Sequence, residues 1–506
     1  TYFADGRLSE RAWARGVTTT YGYSDDSCGR IQTTLYSDST PSITNRYDLA
    51  GRLTRVEDGT GARTFAYDAL GRLAAETNAL AVMERRYDAL GRDVGYGLAI
   101  PGYSADTFAV RCDYDAYGRL DGVTSILGGV TNVFRYSYLE GSAILSGMTN
   151  GCGVGWSRTY ESHRDLVAAV SNHTDVLPVS TFVYTNDAAG RRIRRVDDGV
   201  STNMFAYNRR SEVTGAVMGA RAHSYGYDGL GNRLGATNDG VATLYRANLL
   251  NQYTNILRAS APPRETSPAY DPDGSMVANG AWSYTWDAEN RLVAVHIDQP
   301  NAASGAVHWS IFYDYDARGM LSGCTRERRQ NQLVERSRYR LVMTPSEPDG
   351  MPVLLECQLL EGTADDSLQS FVQNGQLVAR YGADGEAWQC AGDRLGTVSS
   401  ERSGATRVRQ GYDARGVPLL PSRETPGHGF AGEWQDPVTG LVYLRSRFYA
   451  PELGAFISRD AHPGQLSQPM SLHKYAYCLN DPVNRCDPGG CFSMLSCMSA
   501  MWSQVS

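Results

Sequence analysis

Short runs of alternating apolar and polar residues, broken by Gly, Asp and Asn, fill most of the chain and predict strands rather than helices. In LTRVED (53–58) and ARTFAYD (62–68) the DGTG stretch (58–61) marks a turn, and Phe65 and Tyr67 fall on one face of the second strand. The alternation slips at one place. Leu53 and Val56 cannot face the same side of a regular strand, which predicts a bulge between them. LVAAVSNH (166–173) would suit a helix on propensity alone, yet its strand-like flanks predict a strand.

The same pattern recurs along the chain. RYDLAGRL (46–53), AYDALGRL (66–73) and RYDALGRD (86–93) place Tyr47, Tyr67 and Tyr87 at 20-residue intervals. Looser copies occur as DYDAYGRL (113–120), TNDAAGRR (185–192), AYNRRSEV (206–213), GYDGLGNRL (226–234), AYDPDGSM (269–276), TWDAENRL (285–292), DYDARGML (314–321) and GYDARGVP (411–418). In each unit Tyr ends an extended segment, Asp bonds back to the following backbone, and Gly takes the positive-φ position before the next strand leaves. One period holds a hairpin of two strands of about 6 to 8 residues.

Composition supports an all-β chain. It has 506 residues, 42% apolar and 20% charged, with 31 Tyr and 53 Gly, as expected for aromatic strands broken by glycine turns. That length exceeds what one hydrophobic core organises, so several domains or one closed repeat architecture is predicted. The net charge of -7 offers no global attraction to nucleic acid or an anionic membrane. Arg326, Arg328 and Arg329, with Glu327 among them, read as a solvated face. No run approaches the ~18 apolar residues of a membrane span. Of ten cysteines only the last four cluster, at 478, 486, 491 and 497 near His473, and their spacing matches no close-paired zinc pattern. No metal or other cofactor is expected.

Signatures of an enzyme with a diffusible substrate are missing: there is no G-x-S-x-G, H-E-x-x-H or phosphate-binding G-x-x-x-x-G-K. Candidate chemistry is confined to carboxylates near the C-terminus. Two carboxyl groups held close share one proton, so that one activates water and the other protonates the leaving group. Arg459, beside Asp460, could hold one carboxylate ionised. The bland alternatives are an ordinary ion pair at Arg459-Asp460 and a simple turn at Asp487-Pro488.

The eleven units resemble the YD repeats of the Rhs family. Four later stretches resemble that family's associated core: AGDRLGTVSS (391–400), GYDARGVPLL (411–420), GFAGEWQDPVTGLVYLRSRFYAPELGAFISRD (429–460) and LHKYAYCLNDPVNRCDPGG (472–490). The resemblance implies a long antiparallel sheet of hairpins spiralling into a hollow β-shell, closed at one end by the core. It implies repeats over 1–340, continuing shell strands over 341–425, the core over 426–490 and a short variable tail over 491–506. Such shells enclose a C-terminal polypeptide, often a toxin, and many cut it free by an aspartyl-type self-cleavage. Arg459 and Asp460 match the family's R-D motif, and Asp487 matches the Asp of P-x-x-x-x-D-P-x-G-L, which begins here at Pro482. Cutting is then expected after Cys491. The sequence departs from the pattern at Ala461, where Pro is usual, at Gly489, where a larger apolar residue is common, and at Cys491, where Leu is usual.

The resemblance further implies a secretion-apparatus or toxin-complex partner and an exported or cell-surface location. Sixteen residues from Cys491 to Ser506 are too few for a folded toxin, so a truncated or vestigial cargo region is expected, with Met494, Leu495, Met498, Met501 and Trp502 packing on the shell interior. The chain opens at Thr1 inside a repeat, which predicts an incomplete N-terminus. The competing expectation is a carbohydrate-binding or adhesion protein whose exposed tyrosines stack on sugar rings.

Overall fold

Each repeat turn is built as its residues predict. Asp48 Oδ1 accepts from the backbone N–H groups of Ala50 (3.0 Å) and Arg52 (2.9 Å), and Gly51, at φ +79°, donates to the Asp48 carbonyl. These bonds, led by the one from the Arg52 backbone, hold the Asp48 carboxyl below its ordinary value. Arg52 then returns its Nε to Asp48 Oδ2 at 2.8 Å and lays its guanidinium over the ring of Tyr67 in the following repeat. Arg72 over Tyr87 and Arg92 over Tyr114 repeat the contact. Tyr67 Oη donates to Leu53 O (2.7 Å), Tyr87 to Leu73 O (2.8 Å) and Tyr114 to Asp93 O (3.0 Å). Repeat tyrosines are therefore fastened at both ring and hydroxyl, as sheet-building residues.

The slip in alternation is a bulge. Tyr47 pairs with Leu53 while Arg46 pairs with Arg55, leaving Thr54 as an extra residue. The same shift accompanies Tyr67, Tyr87, Tyr114, Tyr207, Tyr227 and Tyr315. Removing one tyrosine hydroxyl should be modest: Tyr87→Phe is expected to cost about 1 kcal/mol in urea denaturation. Tyr207→Phe is expected to cost more, because its hydroxyl donates to Arg192 O (2.6 Å) and accepts from Asn484 Nδ2 (2.9 Å).

The structure, a computed structural model, describes residues 1–100, 108–127, 129–151, 153–174, 178–299, 307–343, 353–361, 368–374, 377–381, 387–403, 406–420, 427–491 and 494–495. A 24-stranded sheet runs from Glu10–Ala12 to Arg264–Thr266, and a 13-stranded sheet from Ala269–Tyr270 to Thr406–Arg409. In both, every strand pairs antiparallel with the next along the chain, as in the strands around Tyr67 and Tyr313. LVAAVSNH lies in the strand Arg164–His173. A five-stranded sheet spans Gly427–His428 to Ala455–Phe456, and Arg485–Cys486 pairs with Met494–Leu495. Met498, Met501 and Trp502 lie outside the described residues.

Contacts between residues far apart in sequence show how the meander winds. Repeat turns of the second sheet sit on the mid-repeat turns of the first. Ala14 N donates to Asp273 Oδ1 (2.8 Å), Arg11 pairs with Glu289 (3.0 Å), Ala288 N donates to Thr40 Oγ1 (2.8 Å) and Arg63 pairs with Asp316 (2.9 Å). Further along, Arg195 pairs with Asp393 (3.0 Å) and Arg394 N donates to Tyr184 Oη (3.0 Å). The sheet is a spiral whose second winding stacks on its first. The core segment fills the closed end. Trp434, Tyr443, Phe448 and Leu453 pack in one cluster with Phe205, Tyr225, Tyr245 and Tyr313 from the strands. Arg326, expected on a solvated face, is buried and pairs with Asp436 of the core at 3.7 Å. Opposite charge on the core, absent from any local reading, draws it inward.

Candidate active site

The core segment forms a short hairpin in which Val442–Leu444 pairs with Arg447–Ala450. Its two turn residues are Arg445, in the left-handed region at φ +58°, and Ser446. Around this turn wraps the segment Asp487-Pro488-Gly489-Gly490-Cys491. It uses the repeat-turn frame: Gly490, at φ +71°, donates to Asp487 O (3.3 Å), and Cys491 N donates to Asp487 Oδ1 (3.1 Å). One part of the frame differs. Where a repeat has Arg four residues after Asp, this turn has Cys491, and a cation comes instead from the neighbouring hairpin.

That cation is Arg447, buried against the face of Phe456 at 3.6 Å. Its Nη2 lies 2.7 Å from Asp460 Oδ2 and 4.0 Å from Asp487 Oδ2, and its Nη1 donates to Lys474 O at 3.0 Å. Burial pulls the guanidinium below its ordinary value, while Asp460, Asp487 and Cys491 oppose that shift. Asp460 is fixed further by donating its own N–H to Lys474 O (3.0 Å) and accepting from His462 N (2.8 Å). A third acid stands close by. Glu433 is buried, and burial raises its carboxyl, with Arg445 and His428 opposing and Asp487 adding to the rise.

The structure thus brings Asp460, Asp487 and Cys491 together and leaves Arg459 out. Arg459 is exposed and lies against Gly274, whose Cβ, if present, would be 3.0 Å from Arg459 Cβ. The ion pair with Asp460 is made by Arg447, from the strand Arg447–Ala450. Sequence reasoning also missed Glu433 and Arg445. The visible signal was LRSRFY (444–449), two arginines flanking one residue at a tight turn.

A spiral β-shell of YD hairpins, closed by a core that presents paired carboxylates to a C-terminal turn, defines the class of protein. The chain belongs to the Teneurin YD-shell family, whose model matches residues 191–483, and the RHS Repeat model matches residues 47–82. It is a shell scaffold of the Rhs type. It is 30% identical over 282 residues to the tRNA3(Ser)-specific nuclease WapA of Bacillus spizizenii, a match covering 53% of this chain and 11% of that protein. It is 25% identical over 410 residues to the toxin protein Tse5 of Pseudomonas aeruginosa, covering 75% of this chain and 27% of that protein. The chain therefore spans a minor fraction of the relatives it matches. Among solved structures, the TcdB2-TccC3-TEV crystal structure superposes with TM-score 0.71 at 16% identity, over 97% of this chain and 27% of that one. The Photorhabdus luminescens Tc holotoxin pore gives TM-score 0.70 at 16% identity, over 96% and 26%. Among the described residues no helix is long and apolar enough to cross a membrane.

Proposed function

We propose that this shell encloses the polypeptide that comes after its core and cuts it after Cys491, acting once on its own chain as part of an exported toxin assembly. Residues 426–490 serve as both plug and protease. The observation that carries the reading is the convergence of Asp460 and Asp487 on one buried cation, beside the turn that ends in Cys491. Asp460, paired with Arg447 at 2.7 Å, takes a proton from water as the water oxygen adds to the Cys491 carbonyl carbon. Asp487, protonated at the start, supplies the proton that the Phe492 nitrogen needs as the peptide bond breaks, and the proton taken by Asp460 balances the one Asp487 gives up. The products are a Cys491 carboxylate and a new amine at Phe492, with no cofactor required. Toxin relatives and toxin-complex structural neighbours support an exported shell with cargo.

The test is a reporter domain fused after Ser506. On a denaturing gel the wild-type fusion is expected to run as two fragments, with mass spectrometry placing the break at Cys491–Phe492, and Asp460→Asn is expected to run as one. A wild-type fusion that stays whole overturns the reading.

A further inference from the structure

Three consecutive residues of the core hairpin each hold one carbonyl of the segment before the cut. Arg445 Nη1 donates to Pro488 O at 2.7 Å, Ser446 N to Gly489 O at 3.3 Å, and Arg447 Nε to Gly490 O. The register is one to one and advances in step along both segments. Arg445 is braced from behind by Glu433, whose Oε2 accepts from the same Nη1. A left-handed φ at a non-glycine residue such as Arg445 is retained only where surrounding contacts enforce it, and these two partners do so.

The segment itself is selective at one position and open at the next. A Cβ added to Gly490 would stand 2.4 Å from Leu444 O and 3.1 Å from Arg447 N, both backbone atoms of the hairpin that cannot swing away. Gly490 also has φ +71°. At Gly489 a Cβ would meet nothing within 4 Å. The departure from the family pattern at Gly489 therefore falls where side-chain size is irrelevant.

We propose that Arg445, Ser446 and Arg447 form a carbonyl clamp that seats residues 488–490 and sets which peptide bond the carboxylates meet, with Gly490 as the residue that determines specificity. The proposal rests on the self-cleavage reading for its purpose, but its geometry can be tested separately. Arg445 and Ser446 are positioning residues. Arg447 both holds the Gly490 carbonyl and reaches Asp460 at 2.7 Å and Asp487 at 4.0 Å.

Two measurements on the full-length reporter fusion decide it. In the first, Gly490→Ala is expected to cleave about a hundredfold or more slowly than Gly489→Ala, the loss expected when reacting groups are displaced by about 1 Å. Equal rates for the two variants overturn the clamp. In the second, hydrogen exchange is monitored in the uncut Asp460→Asn fusion, at the amides of Gly490 and Cys491, which the seated turn protects through Asp487 O and Asp487 Oδ1. Adding Arg445→Ala or Arg447→Gln is expected to speed their exchange by about tenfold or more, through local opening, while amides of the repeat strands stay protected. Unchanged exchange overturns the clamp even where the glycine variants differ. If wild type is never cut yet the amides are protected and the arginine variants release them, the cleavage reading fails and the clamp stands.

Discussion

Arg63→Ala is expected to cost roughly 3–5 kcal/mol, the range for removing one partner from a buried ionic cluster. Arg63 lies in the strand Gly61–Tyr67 of the first winding and is buried at the seam between windings. It reaches Asp316 at 2.9 Å, Asp58 at 3.2 Å and Glu76 at 3.7 Å, and Asp58 Oδ2 also accepts from Ala317 N at 2.7 Å. Without the guanidinium three carboxylates face one another across the seam, with the partly exposed Arg318 near Asp316 (3.1 Å) and Glu76 (3.5 Å) offsetting them in part. The loss should appear as a lower urea midpoint and as faster exchange at the Ala317 amide. Charge and packing can be separated. Adding Asp58→Asn, Glu76→Gln and Asp316→Asn to Arg63→Leu is expected to recover much of the loss, because no buried charge is then left unpaired. Failure of that combination to recover would assign the effect to shape rather than charge.

The seam also shows what could be read in advance. The Tyr-Asp-x-x-Gly frame, the hairpin between frames and the bulge near Leu53 are all local, and local turn chemistry decides them. One further regularity was visible in the letters but carried no meaning until the windings were seen. In three turns that dock on the first winding, the position two after Asp is charged: Asp273, Glu289 and Arg318 each face an opposite charge across the seam. In first-winding turns the same position holds Leu70, Leu90 and Tyr117, which are 78%, 80% and 85% exposed. Their chemistry depends on a neighbour some 250 residues away, which no local pattern encodes. The candidate site divides in the same way. Asp460, Asp487 and Cys491 belong to contiguous motifs legible in the sequence, whereas Arg447 joins them because the hairpin Val442–Ala450 folds under the DPGGC turn. The neighbour in sequence, Arg459, is exposed and lies against Gly274, while Arg447 reaches Asp460 at 2.7 Å from the core hairpin.

Asp481 is expected to make the shell less stable as pH rises from 5 to 8. It is buried in NDPVN (480–484), and burial pushes its carboxyl up to about 7, against donors from Asn484 Nδ2 (2.8 and 3.1 Å) and the nearby Arg485 and Arg192. Proton counting gives the sign. Above the ordinary carboxylate value the unfolded chain releases this proton while the folded chain keeps it, so each pH unit up to about 7 removes up to about 1.4 kcal/mol of stability. Above 7 both states are ionised and the penalty is constant. Between pH 5 and 8 the group therefore accounts for a decline of about 3 kcal/mol. Burial raises Asp197, Asp287, Asp413 and Glu433 as well, so their contributions have the same sign. Turn residues such as Asp48 and Asp68, whose carboxyls are lowered, contribute stability that is lost only on acidification below about pH 4, outside this window. Asp481→Asn keeps an acceptor for Asn484 and cannot ionise. Its urea midpoint should match wild type near pH 5 and exceed it at pH 8, and a parallel decline in both proteins would place the pH dependence on the other buried carboxyls instead.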